Sequence, residues 1–188
     1  MKALKLKALL VTCVALPLAA LAAEGAMKLS GSFDAWNQIG DANWRIENGE
    51  FVADMGAGHL VTKESFSDFR LRAEFWTNEG ANSGVFFRAS DPNAITDRNA
   101  YEANIFDTRP DPAYRTGCIV NHASPLENLD TAGKWNTYEI TAEDDHIVLV
   151  LNGVTTVDFR DTTYTSGPIS LQYGQGLVKF RNVEIERL

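Results

Sequence analysis

"HIVLVLNGVTTVDF", residues 146–159, decides the fold class. Asn152-Gly153 stands between two runs of Val, Ile, Leu and Thr. Both residues tolerate positive φ, which a two-residue turn between antiparallel strands requires, so the stretch predicts a tight β-hairpin. The first run is apolar on both faces, which suits a strand covered on both sides. Outward from this hairpin, turn signals recur at "ENGE", "GAG", "NEGANSG", "TRPDP", "TSGP" and "QYGQG". Between them lie short runs such as "FVAD", "HLVTKE", "YEANIFD", "CIVNH", "NTYEITAE" and "ISLQY". Roughly ten or eleven short strands without a helical period predict an all-β sandwich or barrel. A second hairpin turns at Gly174 and Gly176 in "ISLQYGQGLVKFRNVEI".

Period-2 alternation assigns faces. In "FRLRAEFW", residues 69–76, Phe69, Leu71, Ala73 and Phe75 point inward, and Arg70, Arg72, Glu74 and Trp76 point away. In "NSGVFFRAS", residues 82–90, Val85, Phe87 and Ala89 share one side, and Arg88 stands beside Phe86 on the other. In "YEANIFD", Glu102 and Asn104 alternate against Tyr101, Ala103 and Ile105. In "ISLQY", Ser170 and Gln172 oppose Ile169, Leu171 and Tyr173. The polar side chains on non-core faces thus include Arg88, Glu102, Asn104, Gln172 and Arg181. Strand order decides whether they share a hollow.

The chain opens with Lys2, Lys5 and Lys7, an apolar run from Ala8 to Ala23 and small residues. This predicts a secretory signal peptide over residues 1–23, cleaved after Ala22 or Ala23. The run is too short and Ala-rich for a membrane span, and Cys13 reads as part of the leader. Residues 24–188 form the expected single domain. Without the three leader lysines, 14 basic residues face 25 acidic ones, a formal charge of −11. Such a chain repels nucleic acid and anionic lipid, and neutral solutes such as sugars suit it better. Cys118 alone remains, so no intramolecular disulfide forms, and its apolar setting in "TGCIVNH" predicts a buried, inert thiol. Export without disulfides predicts a bacterial protein of the periplasm or cell surface.

Phosphate-loop, dinucleotide and HExxH motifs are absent, as is a GxSxG elbow. His59, His122 and His146 lack metal-ligand spacing, and no acidic loop has EF-hand spacing, so no metal or other cofactor is predicted. The two glutamates and an aspartate on one strand of family-16 glycosidases are missing. Glu102 and Asp107 lie five residues apart, on opposite faces of a regular strand, so a simple two-carboxylate glycosidase finds little support.

Seven stretches occur in an order that resembles the 3-keto-disaccharide hydrolase family: "WRIENGEFVADMGAGHLVTKESFSDFRLRAEFW", "NSGVFFR", "YEANIFD", "TGCIV", "GKWNTYEI", "LNGVTTVDF" and "GPISLQYGQGLVKFRNVEI". The resemblance spans Gly31 to Leu188. It implies a concanavalin- or laminin-G-like jelly-roll β-sandwich of two antiparallel sheets. It also implies action on glycosides already oxidised to a ketone at sugar C3, with a separate sugar 3-oxidoreductase supplying the ketone. A C3 ketone acidifies the C2 hydrogen; abstracting it expels the C1 oxygen by β-elimination, and water then adds, giving net hydrolysis. That chemistry needs a base near C2, a donor to the enolate oxygen and an acid for the leaving oxygen.

On this resemblance Glu102 is the candidate base, and Arg88 the enolate stabiliser or substrate clamp, since its fork holds adjacent oxygens. His122 is a candidate acid or base. Asn104, Gln172 and Arg181 are candidate hydroxyl ligands. Asp107 opens a turn-rich loop as turn cap or ligand contact, and Trp76 and Trp36 offer faces for ring stacking. Structural readings stand beside these: an Arg88–Glu102 ion pair across neighbouring strands, Arg181 knitting a sheet, and tryptophans packing at a core or edge. Trp135 is expected in the core, and His59 and His146 at the surface. The rival functions are a non-catalytic carbohydrate-binding module and a protein-recognition scaffold.

Overall fold

The computed structural model describes residues 25–188. The expected leader, Cys13 included, lies outside the described residues. The strands in chain order are β1 (Met27–Lys28), β2 (Trp36–Gly40), β3 (Arg45–Glu47), β4 (Glu50–Ala53), β5 (Gly58–Phe66), β6 (Phe69–Thr77) and β7 (Asn82–Phe87). They continue with β8 (Tyr101–Ile105), β9 (Trp135–Glu143), β10 (His146–Leu151), β11 (Val154–Arg160), β12 (Gly167–Gln175) and β13 (Val178–Arg187). All pairings are antiparallel and form two sheets. One has eight strands in the order β11-β10-β9-β6-β13-β4-β3, with β1 also paired to β13. The other has five strands in the order β2-β5-β12-β7-β8. The fold is the expected two-sheet sandwich.

The decisive hairpin is as predicted: Asn152 and Gly153 take φ of 52° and 82° between β10 and β11. Alternation holds along β6, where Phe69, Leu71, Ala73 and Phe75 are buried in the core. Facing them across the sandwich are Val85 and Phe87 of β7, Tyr101, Ala103 and Ile105 of β8, and Ile169 and Leu171 of β12. Each such aromatic or aliphatic side chain taken from water contributes about 1.5–3 kcal/mol, so this interface carries the stability of both sheets.

Three expectations change. Val148 and Val150 of β10 are only half-buried, because the outer face of the eight-stranded sheet has no covering layer there. "CIVNH" is a turn rather than a strand. Asn121 at φ 64° reverses the chain, and Ile119 and Ala123 pair backbone to backbone. Trp135 is half-buried on the outer face of the eight-stranded sheet, opposite Trp76 in the β6–β9 register, and is not in the core.

Candidate functional site

The outer face of the five-stranded sheet carries polar residues at positions that pair across strands. Gly84 of β7 pairs with Gln172 of β12 on one side and with Asn104 of β8 on the other. One step along, Phe86 pairs with Ser170 and with Glu102. Glu102, Asn104 and Gln172, which alternation put on a non-core face, therefore come together. They line a cavity of about 280 Å³. Two connections roof it. The segment after β7 brings Ile95, Thr96 and Asp97, with Ile95 packed on Val61 and Phe86. The segment after β8 brings Arg109 and Tyr114.

Glu102 is 8% exposed and has no hydrogen-bond donor among the described residues. Burial pushes its carboxyl up to about 8; the charge of Asp97 adds to the rise, and the Arg109 guanidinium opposes it. Asn104 donates from Nδ2 to the carbonyl of Tyr114 at 2.6 Å, tying the strand to its roof. The Gln172 Oε1 atom is buried without a partner among the described residues. Gly84 gives the carboxyl room, since a Cβ there would stand 2.9 Å from Glu102 Oε1.

The far sheet fixes this strand. Tyr138 of β9 crosses the core, donates from its hydroxyl to the Asn104 carbonyl at 2.5 Å and accepts from the Gly117 N–H at 2.8 Å. Burial raises that phenol well above its ordinary pKa, so it stays a donor. Cys118 is fully buried beside the same strand, and burial, with the Glu102 charge adding, pushes its thiol up to about 12.

The structure places the other candidates elsewhere. Arg88 follows the last residue of β7 at φ 55°. That left-handed turn breaks the alternation that would set it beside Phe86. Its guanidinium is 1% exposed and donates to the carbonyls of Ser67 at 2.8 Å and Asp144 at 2.9 Å, and to Asp68 Oδ1 at 3.2 Å. With a further hydrogen bond to the Tyr164 carbonyl at 3.4 Å, Arg88 staples three loops at one end of the sandwich, and it pairs with Asp68, not Glu102. Neither the clamp nor the cross-strand ion pair with Glu102 is formed.

Asp107 is saturated by donors inside the protein: Thr116 Oγ1 at 2.5 Å, Thr131 Oγ1 at 2.8 Å, and the N–H groups of Thr131 at 2.6 Å and Ala132 at 2.8 Å. It braces the loop that carries Arg109 and Tyr114. Arg181 lies on the outer face of the eight-stranded sheet. Its Nε donates to Glu74 at 2.7 Å, and its guanidinium sits 3.9 Å from the Trp135 ring centroid. Trp76 shares that face, with Lys179 Nζ 5.7 Å from its ring centroid. Trp36 is buried and donates from Nε1 to the Leu29 carbonyl at 2.7 Å.

His122 lines a neighbouring hollow of about 150 Å³ that shares Tyr114 with the first. Its Nδ1 is 3.6 Å from Asp161 Oδ2, and its ring packs on Tyr101, Phe159 and Tyr164. Desolvation raises the Asp161 carboxyl, but hydrogen bonds from Tyr101 and Thr163 outweigh it and hold the group at about 2. His146 is half-buried at the surface, beside Asp158. His59 is half-buried on the same sheet face as Gln172, with Nδ1 2.9 Å from Ser170 Oγ, and burial takes its pKa down to about 4.

Sequence reasoning missed Asp97, Arg109 and Gly84. The first two sit in connections that alternation does not reach. The third signalled itself only as a glycine inside a strand. Among the described residues, no group of three or more His, Cys, Asp or Glu side chains is placed to hold a metal ion.

The fold recurs in solved structures. Two proteins of Parabacteroides distasonis, provisionally called glycosyl hydrolases, match with TM-scores of 0.71 and 0.77. They share 23% and 20% identity, with 81% and 88% of this chain aligned to 99% and 95% of theirs. The carbohydrate-binding module CBM66 of Bacillus subtilis matches with a TM-score of 0.65 and 18% identity over 81% of this chain and 95% of its own. No curated protein sequence matches. The family profile of the 3-keto-alpha-glucoside-1,2-lyase-like domain matches residues 27–186, and the chain belongs to that family.

Proposed function

We propose that this cavity cleaves 3-keto-glycosides by elimination, with Glu102 as the base that takes the C2 hydrogen. The observation that carries the reading is a buried carboxyl, unpartnered among the described residues and lining an open polar hollow. Its pKa of about 8 suits proton abstraction near neutral pH, because the base is strong while a working fraction remains ionised. Electrons from the C2–H bond move into the ketone, and the enolate collapses to expel the C1 oxygen, which leaves as a hydroxyl by taking back the proton that Glu102 abstracted. Water adding to the resulting enone completes net hydrolysis. Arg109, the cation lining the cavity, takes over from Arg88 the role of stabilising the enolate oxygen. Asn104 and Gln172 hold hydroxyls. The leader proposed for residues 1–23 puts this activity in a bacterial envelope, fed by an oxidoreductase that makes the ketone.

A second reading rests on Asp97. It shares the cavity with Glu102, and two carboxyl groups in one cavity, Glu102 as acid and Asp97 as base, are the pair that ordinary glycoside hydrolysis uses. The carbohydrate-binding rival has less to stand on. Trp76 and Trp135 do pair on one open face, but Lys179 and Arg181 lie over their rings.

The test is to incubate the purified protein with 3-keto-trehalose or a methyl 3-keto-glucoside, and with the unoxidised sugars. Release of aglycone from the keto-sugars alone supports elimination. Cleavage of the unoxidised glycosides supports the Asp97 reading. Binding without turnover leaves a carbohydrate-binding module.

A further inference from the structure

Two groups without a hydrogen-bond partner among the described residues flank one bare backbone position. Glu102 reaches from β8 diagonally over Gly84 of β7, and Gln172 stands on β12 directly across from Gly84. Asn104 closes the row on the far side of the glycine. The two amides are two strand spacings apart, about 9–10 Å. The Gln172 Oε1 atom, buried and without a donor among the described residues, wants a partner. Gln172 lines the same cavity as Glu102, so a hydroxyl of a molecule bound there is a source of that partner.

We propose that Glu102 and Gln172 form a two-point receptor for C2 of a neutral pyranose ring, and that Gly84 keeps it open. Glu102 addresses the C2 hydrogen, while the hydroxyl on the same carbon donates to Gln172 Oε1. Gly84 is a positioning residue: any side chain there displaces the carboxyl outward. The inference rests on the carbohydrate reading of the cavity, but it does not need turnover.

The test uses the intact protein with methyl α-glucopyranoside and its 2-deoxy analogue, read by NMR at the Gly84 amide and the Gln172 side-chain amide. Both resonances should move with the parent sugar. The 2-deoxy sugar should bind roughly 5- to 50-fold more weakly, the cost of leaving a buried acceptor unpaired. Gln172→Met should bind both sugars equally weakly. Gly84→Ala should bring the Glu102 carboxyl pKa down from about 8 toward its ordinary range as the group moves into water. The proposal is overturned if neither resonance moves, if the wild type does not distinguish the two sugars, if Gln172→Met still does, or if Gly84→Ala leaves the Glu102 titration unchanged. Sugar binding as expected together with no turnover of keto-sugars would count against the elimination chemistry and leave the receptor standing.

Discussion

Arg88 and Glu102 occupy neighbouring segments of one sheet, yet they belong to different ends of the architecture: Arg88 is tied to Asp68 and loop carbonyls, and Glu102 lines the polar cavity. The two charges that stand out most in the sequence thus divide into a staple and a site. Stability and chemistry become separable experimentally.

Arg88→Ala should destabilise the protein by about 3 kcal/mol or more, because it leaves Asp68 and two loop carbonyls without their buried donor. Urea unfolding measures the loss. Turnover per folded molecule, taken well below the transition, should stay close to wild type. A large fall in turnover without a stability change would return Arg88 to the chemistry.

Glu102 makes stability depend on pH in a defined direction. Its carboxyl titrates near 4.5 when the chain is unfolded and near 8 when folded, so between those values folding takes up a proton. Its contribution is fully present below about 4.5, is lost as pH rises through 8, and is level above that. The unfolding midpoint of Glu102→Gln, relative to wild type, should therefore increase across this window by a few kcal/mol in stability. A constant difference would mean that Glu102 is not buried as a free carboxyl.

Asp107→Ala should loosen the roof rather than remove a ligand contact. Four donors lose their acceptor, at a cost of about 2–3 kcal/mol. Hydrogen exchange should quicken at residues 107–116 and 131–132 while the core strands keep their protection.

Tyr138→Phe removes the hydroxyl that joins the two sheets at Asn104 and Gly117. A loss of about 1–3 kcal/mol is expected, with weaker substrate binding because β8 carries Glu102. Thermal unfolding and KM measured together check both consequences.

Much of the sandwich is legible in the sequence, because alternation and turn chemistry are local. Phe69 to Phe75 on β6 and Asn152-Gly153 need no knowledge of their neighbours. Glu102, Asn104 and Gln172 are legible as outward-facing, but their meeting depends on β12, β7 and β8 lying side by side, which only the strand order supplies. Arg88 misleads because one residue in the left-handed region re-aims the side chain, and an arginine there carries no local signature. Arg181 and Trp76 obey alternation but lie on the other sheet. Asp97 and Arg109 reach the cavity through connections whose path is set by distant braces such as Asp107.

The pH dependence of kcat/KM on a methyl 3-keto-α-glucoside, for wild type and Glu102→Gln, tests the central claim most directly. The account predicts that the wild-type value rises with pH, is half-maximal near 8 and levels off above it, and that a folded Glu102→Gln variant loses turnover throughout. A folded Glu102→Gln variant with full activity, or a wild-type profile flat between pH 5 and 9, would contradict it.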